Sequence, residues 1–408
     1  MDRILNPFAP GAGTQPPELA GRDQILENAR VVLGRIKAGR SAKSQMLLGL
    51  RGVGKTVLLN RLDVLAEELH YLRVVLEAPE DRHLAEMLVP KLRSLLNQLS
   101  LVDKARAFAR RGLGVLRAFA AAFKLSAGEY EFGVQSEVGV ADSGSLDIDL
   151  PELLLAVAGA AKMADRPIAI FIDEVQYLSS GDLGALLASL HKIGQKGLPL
   201  VVFGAGLPQL AALAGVAKSY AERLLDYPEV GPLSEQAASD AIRKPVTSQG
   251  VQITDGALAM IVEKTQGYPY FLQEWGTHAW NEAEESPITA DDVERATIKV
   301  LRGLDEGFFR VRVDRLTPRE RDYLRAMAEL GPGPHRSGTI AKTLSLGVTA
   351  AGPIRNELIK KGMIFSPKHG ETAFTVPMFD DFLRRAMPAW APNPAEVAGL
   401  ARARPPRK

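Results

Sequence analysis

Two apolar patterns alternate along the first half of the chain. Short, mainly apolar runs at residues 46–50, 72–76, 168–172 and 200–203 are bounded by charge, glycine or proline. Runs of that length predict strands buried on both faces. Between them apolar residues recur at helical spacing: Ile25, Val31, Val32 and Leu33 after Asp23, then the stretch after Lys55, then residues 81–100. Asp149 and Glu152 read as a capping box that opens a further helix through Ala161. Strands alternating with helices predict an α/β sheet covered on both faces. Residues 6–17, rich in proline and glycine, predict an irregular arm ahead of it.

From Leu233 the pattern turns helical, with Ser234, Thr254 and Thr289 as predicted N-caps. A further start signal is unusually complete. Thr317 caps, Pro318 takes the first position and Glu320 closes the box, ahead of Leu324, Met327 and Leu330. Residues 331–334 (Gly-Pro-Gly-Pro) end that helix. A short helix at 338–344, a turn at Gly347 and a second helix at about 349–361 follow. Ile354, Leu358 and Ile359 are expected to face inward, and Arg355, Asn356 and Lys360 outward. Residues 362–365 and 373–376 bracket Lys368-His369-Gly370 as a β-hairpin, so this part predicts a winged helix.

Residues 101–149 interrupt the rhythm. Between Asp103 and Lys124 there are six basic residues and one acid, with Phe108, Val115, Leu116, Phe119 and Phe123 near helical spacing. Between Glu129 and Asp149 there are six acids and no base. The expectation is a basic helix followed by an acidic hairpin. It is either a solvated insertion that pairs its own charges or a surface for a protein partner or nucleic acid.

Composition narrows the classes. The chain has 408 residues, 46% hydrophobic and 24% charged, which excludes a disordered chain. The absence of cysteine excludes disulfides and thiolate chemistry, and the six scattered histidines lack metal-site spacing. Residues 1–13 lack the plan of a signal peptide and no run is long enough to span a bilayer, so no membrane partner and a cytoplasmic location are expected. The net charge of +2 hides an asymmetry. Residues 310–408 carry 18 Lys and Arg against 9 Asp and Glu, leaving 32 against 39 for residues 1–309. An acidic front and a basic back point to a separate partner for the back. Residues 391–408, basic and Pro/Ala-rich, predict a disordered tail.

One segment carries specific chemistry. Gly49-Leu50-Arg51-Gly52-Val53-Gly54-Lys55-Thr56 follows a predicted strand and enters a helix, the setting of a phosphate-binding loop. Its glycines let consecutive N–H groups face phosphate oxygens, and the helix N-terminus adds positive potential. Lys55 is expected at the β- and γ-phosphates and the Thr56 hydroxyl at Mg²⁺. The strand at 168–172 ends in Asp173 and Glu174, the Walker B pattern. Asp173 is expected at the metal and Glu174 at the attacking water. Together the two segments predict a site for ATP and Mg²⁺.

With Leu19-Ala20-Gly21-Arg22-Asp23 before the core, Gly267-Tyr268-Pro269 in the helical region and the winged-helix pattern behind, the chain resembles AAA+ and STAND-type ATPases. It resembles in particular prokaryotic ATPases similar to origin-recognition initiators. The resemblance implies an α/β P-loop NTPase fold, an αβα sandwich with a mainly parallel sheet, in residues 1–230 with the insertion 101–149. An all-α lid at 231–305 and a winged helix at 310–390 would follow. It implies that Gly21 and Arg22 lie beside adenine and that Tyr268 and Pro269 sense the nucleotide. Arg223 stands where an arginine finger is plausible, which would make the active form a homo-oligomer; an ordinary salt-bridging role is the alternative.

Two departures imply slow hydrolysis: Tyr270 replaces the arginine common after the Gly-x-Pro, and the fourth strand ends in Phe203-Gly-Ala-Gly-Leu-Pro208 without a polar residue. The expected activity is that of a nucleotide switch coupled to duplex DNA. Arg355 and Asn356 would meet base edges, and Lys360, Lys361 and Lys368 phosphates. The alternative is a signalling or regulatory scaffold whose winged helix and insertion bind protein.

Overall fold

The computed structural model describes residues 1–11, 13–78, 82–125 and 134–391. They form two compact bodies: Gly21–Gly49 with Val53–Gly231, and Met1–Ala20 with Leu50–Gly52 and the chain from Pro232. No helix among the described residues is long and apolar enough to cross a membrane.

The first body is a parallel sheet in the order β2-β3-β4-β1-β5. Its strands are β1 (Ser44–Leu48), β2 (Leu72–Glu77), β3 (Ile168–Asp173), β4 (Leu200–Gly206) and β5 (Leu225–Asp226). Helix α1 (Asp23–Lys37) precedes the sheet; parallel neighbours need crossover connections, supplied by α2 (Lys55–Glu68), α3 (Leu84–Ser100), α4 (Arg106–Ala122), α5 (Leu146–Met163), α6 (Ser180–Gln195), α7 (Leu210–Ala217) and α8 (Ala221–Leu224). Strands β1 and β4 are buried throughout, as their mainly apolar runs predict. Strand β2 alternates buried and exposed because it is an edge strand. Its outward Arg73 pairs with Asp63 at 2.8 Å and Glu67 at 2.5 Å.

The insertion differs from expectation. Helix α4 forms, and its basic residues are exposed, but its other face is core rather than solvated: Leu113, Leu116, Phe119 and Ala120 belong to the main apolar cluster. Gly112 and Gly114 make the approach possible. A Cβ on the first would stand 2.8 Å from Leu96 Cδ2, and on the second 2.8 Å from Gln135 O. The acidic hairpin expected over 129–149 is not found: residues 134–145 form no strand and 146–149 belong to α5, while 129–133 lie outside the described residues. Nor does Asp149 start a helix. Helix α5 begins a turn earlier, and the buried Asp149 carboxylate accepts from Ser143 N, Ser143 Oγ and Gly144 N. Glu152 accepts from Ala141 N. The two acids hold the preceding loop onto the helix.

In the second body, α9 (Glu235–Ser248), α10 (Asp255–Thr265), α11 (Pro269–Glu282) and α12 (Ala290–Gly303) carry the predicted caps. Ser234, Thr254 and Thr289 each accept from the backbone N–H three residues on. The irregular arm packs here, with Phe8 against Gly276, where a Cβ would meet the Phe8 ring at 2.7 Å, and with Trp280 Nε1 donating to Asp2 O at 2.8 Å. A wide π turn, Leu304–Phe309, leads into α13 (Arg310–Asp314). Beyond it come α14 (Pro318–Glu329), β6 (His335–Arg336), α15 (Ser337–Thr343), α16 (Val348–Lys360), β7 (Ile364–Phe365), β8 (Glu371–Phe374) and α17 (Phe379–Ala386). The hairpin β7–β8 gains an unpredicted third strand, giving an antiparallel sheet β6-β8-β7. Thr317 and Glu320 form the expected capping box, and Phe309 stacks on Phe379 and Phe382 to lock the turn onto this part. Of the basic tail 391–408, residues 392–408 lie outside the described residues.

Candidate nucleotide site

The C-terminal ends of parallel strands are where open α/β sheets present polar groups to ligands. Here β1 runs into the glycine loop 49–54 and then α2. Gly54, in the left-handed region at φ +89°, caps that helix, a conformation that favours glycine over any β-carbon. Gly49 is required for closeness instead, since a Cβ would stand 2.2 Å from Val230 O. Lys55 is buried at the first helical position and Thr56 follows it.

Two strands away, β3 ends at Asp173, and the ends of the two segments touch. Thr56 Oγ1 donates to Asp173 Oδ2 at 2.6 Å. A hydroxyl beside a carboxylate is a hard-oxygen donor pair of the kind Mg²⁺ takes alongside waters and phosphate oxygens. No cluster of three or more His, Cys, Asp or Glu among the described residues could hold a metal by itself. Glu174 adopts the left-handed region at φ 52° and donates its N–H to Asp173 Oδ1 at 2.8 Å.

Gln176, which no sequence motif marks, joins this group. Its Nε2 donates to Glu174 Oε2, and its Oε1 accepts from Leu207 N at 3.1 Å. Gly206 at the end of β4 is what admits it, because a Cβ there would stand 2.8 Å from Gln176 Oε1. An amide arriving from the β3 side therefore lies beside the end of β4.

Other expected residues have different positions. Arg22 is buried, and its Nη2 donates to Val53 O at 3.1 Å and Gly231 O at 2.6 Å. Burial lowers its pKa below the ordinary arginine value. That nitrogen grips the main chain at Val53 in the glycine loop and at Gly231. Gly21 is exposed beside it, at φ +65°. Tyr268 is buried in the second body, with burial pushing its phenol up to about 12, so its ring belongs to a core; Pro269 starts α11. Arg223 is exposed in α8 next to β5, whose Leu225 is in register with Ser44 at the start of β1. The phosphate loop leaves the far end of the same strand, so the fold does not bring Arg223 to its own chain's site.

The C-terminal candidates divide. Arg355 Nε donates to Thr372 Oγ1 at 2.8 Å and its Nη2 to Glu371 O at 3.1 Å, so it braces β8 instead of facing out. Lys361 is held by Glu320 at 2.8 Å. Lys360 pairs with Glu357 on the exposed side of α16 at 2.6 Å, while Asn356 and the hairpin's Lys368 are exposed.

Comparison with known families and structures fits this geometry. The AAA ATPase domain family matches residues 18–203, and a domain of unknown function (DUF8462) matches residues 306–383. No curated protein matches the chain in sequence. Among solved structures, a Walker-type ATPase of Pyrococcus abyssi is 19% identical over 93% of this chain and 99% of its own, with a TM-score of 0.57. The Orc1 protein of Aeropyrum pernix, solved in complex with DNA, is 15% identical over 94% and 96%, with a TM-score of 0.47. The RuvB Holliday junction branch migration motor of Thermotoga maritima is 16% identical over 95% and 100%, at 0.45. The chain therefore has the fold of the P-loop nucleoside triphosphatases, and its residues 18–203 match the AAA ATPase domain.

Proposed function

We propose that the chain binds ATP with Mg²⁺ at the glycine loop and hydrolyses it slowly. The observation that carries this reading is the 2.6 Å hydrogen bond from Thr56 to Asp173, which joins the two motif segments. Backbone N–H groups of the loop and the N-terminus of α2 would hold the phosphates, and Lys55 would neutralise the β- and γ-oxygens. Thr56 and Asp173 would hold Mg²⁺, which when bound supplies charge stabilisation on the phosphate oxygens. Glu174 would take the proton of the attacking water, with Gln176 fixing one of its oxygens. Tyr270 in place of an arginine supports slow turnover. Arg223 could serve a nucleotide only in a second copy of the chain; ATP-dependent growth in particle size would support that role.

The part beyond Thr317 has the element order expected of a winged helix, and we read it as a duplex-DNA module used in a nucleotide-dependent way. For ATP to act as a switch it must favour one of two conformations of the chain. Asn356, Lys360 and Lys368 are the residues left to meet DNA. A second reading, in which this module and the basic face of α4 dock protein, is favoured by one observation: Arg355 and Lys361 are already engaged internally. ATPase activity measured with and without duplex DNA across a salt series separates the two. DNA stimulation that fades as salt rises supports DNA; turnover indifferent to DNA at low salt supports the protein dock. Absence of any Mg²⁺-dependent turnover defeats the ATPase reading itself.

A further inference from the structure

The second body contains a cavity of about 360 Å³ lined by Arg51, Tyr270, Glu274, Phe308, Arg312 and Arg315, among others. We propose that it is a binding site for a small polyanion of the phosphate class, gripped by Arg312 and Arg315 with Arg51 alongside. The proposal does not depend on ATP binding at Lys55 and Thr56.

The π turn at Leu304–Phe309 builds the site. Such wide turns inside helices recur at functional positions. Here the turn sets Phe308 against Tyr270, their rings stacked at 4.9 Å. Arg312, one turn on, lies with its guanidinium carbon 3.7 Å from the centre of the Phe308 ring and donates from Nη1 to Phe308 O at 2.5 Å. Its buried Nε has no hydrogen-bond partner among the described residues. Burial pulls the Arg312 pKa down to about 10, and the neighbouring Arg51 and Arg315 charges push it the same way.

The surrounding acids do not cancel this charge. Glu274 is the one acid in the lining, and it hydrogen-bonds the Tyr270 hydroxyl. Asp305 and Glu306, on the π turn, are taken by Arg385 at 2.6 Å and Arg302 at 3.0 Å. Arg312 and Arg315 against the one carboxylate leave a surplus of positive charge around a space of ligand size. Guanidinium forks match phosphate oxygens two at a time, which makes a phosphate-class dianion the fitting guest.

The test is calorimetric titration of inorganic pyrophosphate into full-length protein carrying Lys55→Ala, which removes the Lys55 contact of the nucleotide site. Saturable binding is expected. Adding Arg315→Ala, at an exposed side chain, should weaken it about tenfold. Arg312→Met should abolish it in protein shown by circular dichroism to be folded. Adding Glu274→Gln instead should tighten binding about threefold, because it removes the competing negative charge. The proposal is overturned if the Lys55→Ala protein shows no saturable binding, if Arg315→Ala leaves the affinity within twofold, or if Glu274→Gln fails to tighten it.

Discussion

The two bodies handle polar side chains in opposite ways. At the strand ends of the parallel sheet, main-chain geometry delivers Thr56, Asp173 and Glu174 to one place, and hydrogen bonds among them fix their positions. In the C-terminal body, cations that a helical projection turns outward are drawn in by partners from distant elements: Arg355 by β8, Lys361 by Glu320. The lesson is that a motif whose function lies in backbone shape predicts a site, whereas a count of basic residues predicts only a charge. The +6 of residues 310–390, 14 basic against 8 acidic, includes cations already committed to structure.

The contrast can be broken most sharply at Glu174. Glu174→Gln should lower ATP turnover by about 10²–10⁴-fold with binding intact, while Lys55→Ala should remove ATP binding; titration calorimetry and phosphate release distinguish them. Next in size is Gln176→Ala. It should cut kcat on the order of tenfold with KM unchanged, because it frees a carboxylate that it positions without touching substrate. A KM that moves with kcat would mean that the residue supports the fold of the site instead. Smaller still, Arg355→Ala should cost about 1–3 kcal/mol in denaturant unfolding, by stripping partners from Thr372 and Glu371. Lys368→Ala should stay within about 0.5 kcal/mol. If Lys368→Ala also reduces the salt slope of DNA binding by about 1, the DNA reading of the hairpin gains its first direct contact.

The smallest effect concerns Glu320. Burial alone would raise its pKa, but Lys361 and the Thr317 cap outweigh burial and hold it below the ordinary 4.5. A carboxyl depressed in the folded state contributes stability above its unfolded pKa and loses it as pH falls through the lower folded value. Stability of the wild-type chain should therefore decline more steeply below pH 4.5 than that of Glu320→Gln, as followed by thermal melts across an acid series.

Much of the architecture could be read from local signals. The buried strands, the caps at Ser234, Thr254, Thr289 and Thr317, and the glycine loop all depend on residues within a few positions of one another. What escaped depends on distant partners. Gln176 reaches Glu174 only because the latter takes a left-handed turn, and it reaches Leu207 only because Gly206 has no side chain. The burial of α4 depends on two glycines that look like helix weaknesses until Leu96 and the chain at Gln135 are set against them. The family likeness implies a place for Arg22 beside adenine, whereas its bonds to Val53 and Gly231 join distant stretches that no local pattern links.

The early arm has a consequence for how the molecule is made. Asp2 receives Trp280, 278 residues later, and Phe8 rests on Gly276. At ~5–20 residues per second, the ribosome would take roughly 14–56 s to deliver the second partner after the first. Throughout that interval the nascent arm carries an aromatic ring with nowhere to dock, which is the period when a chaperone would find it.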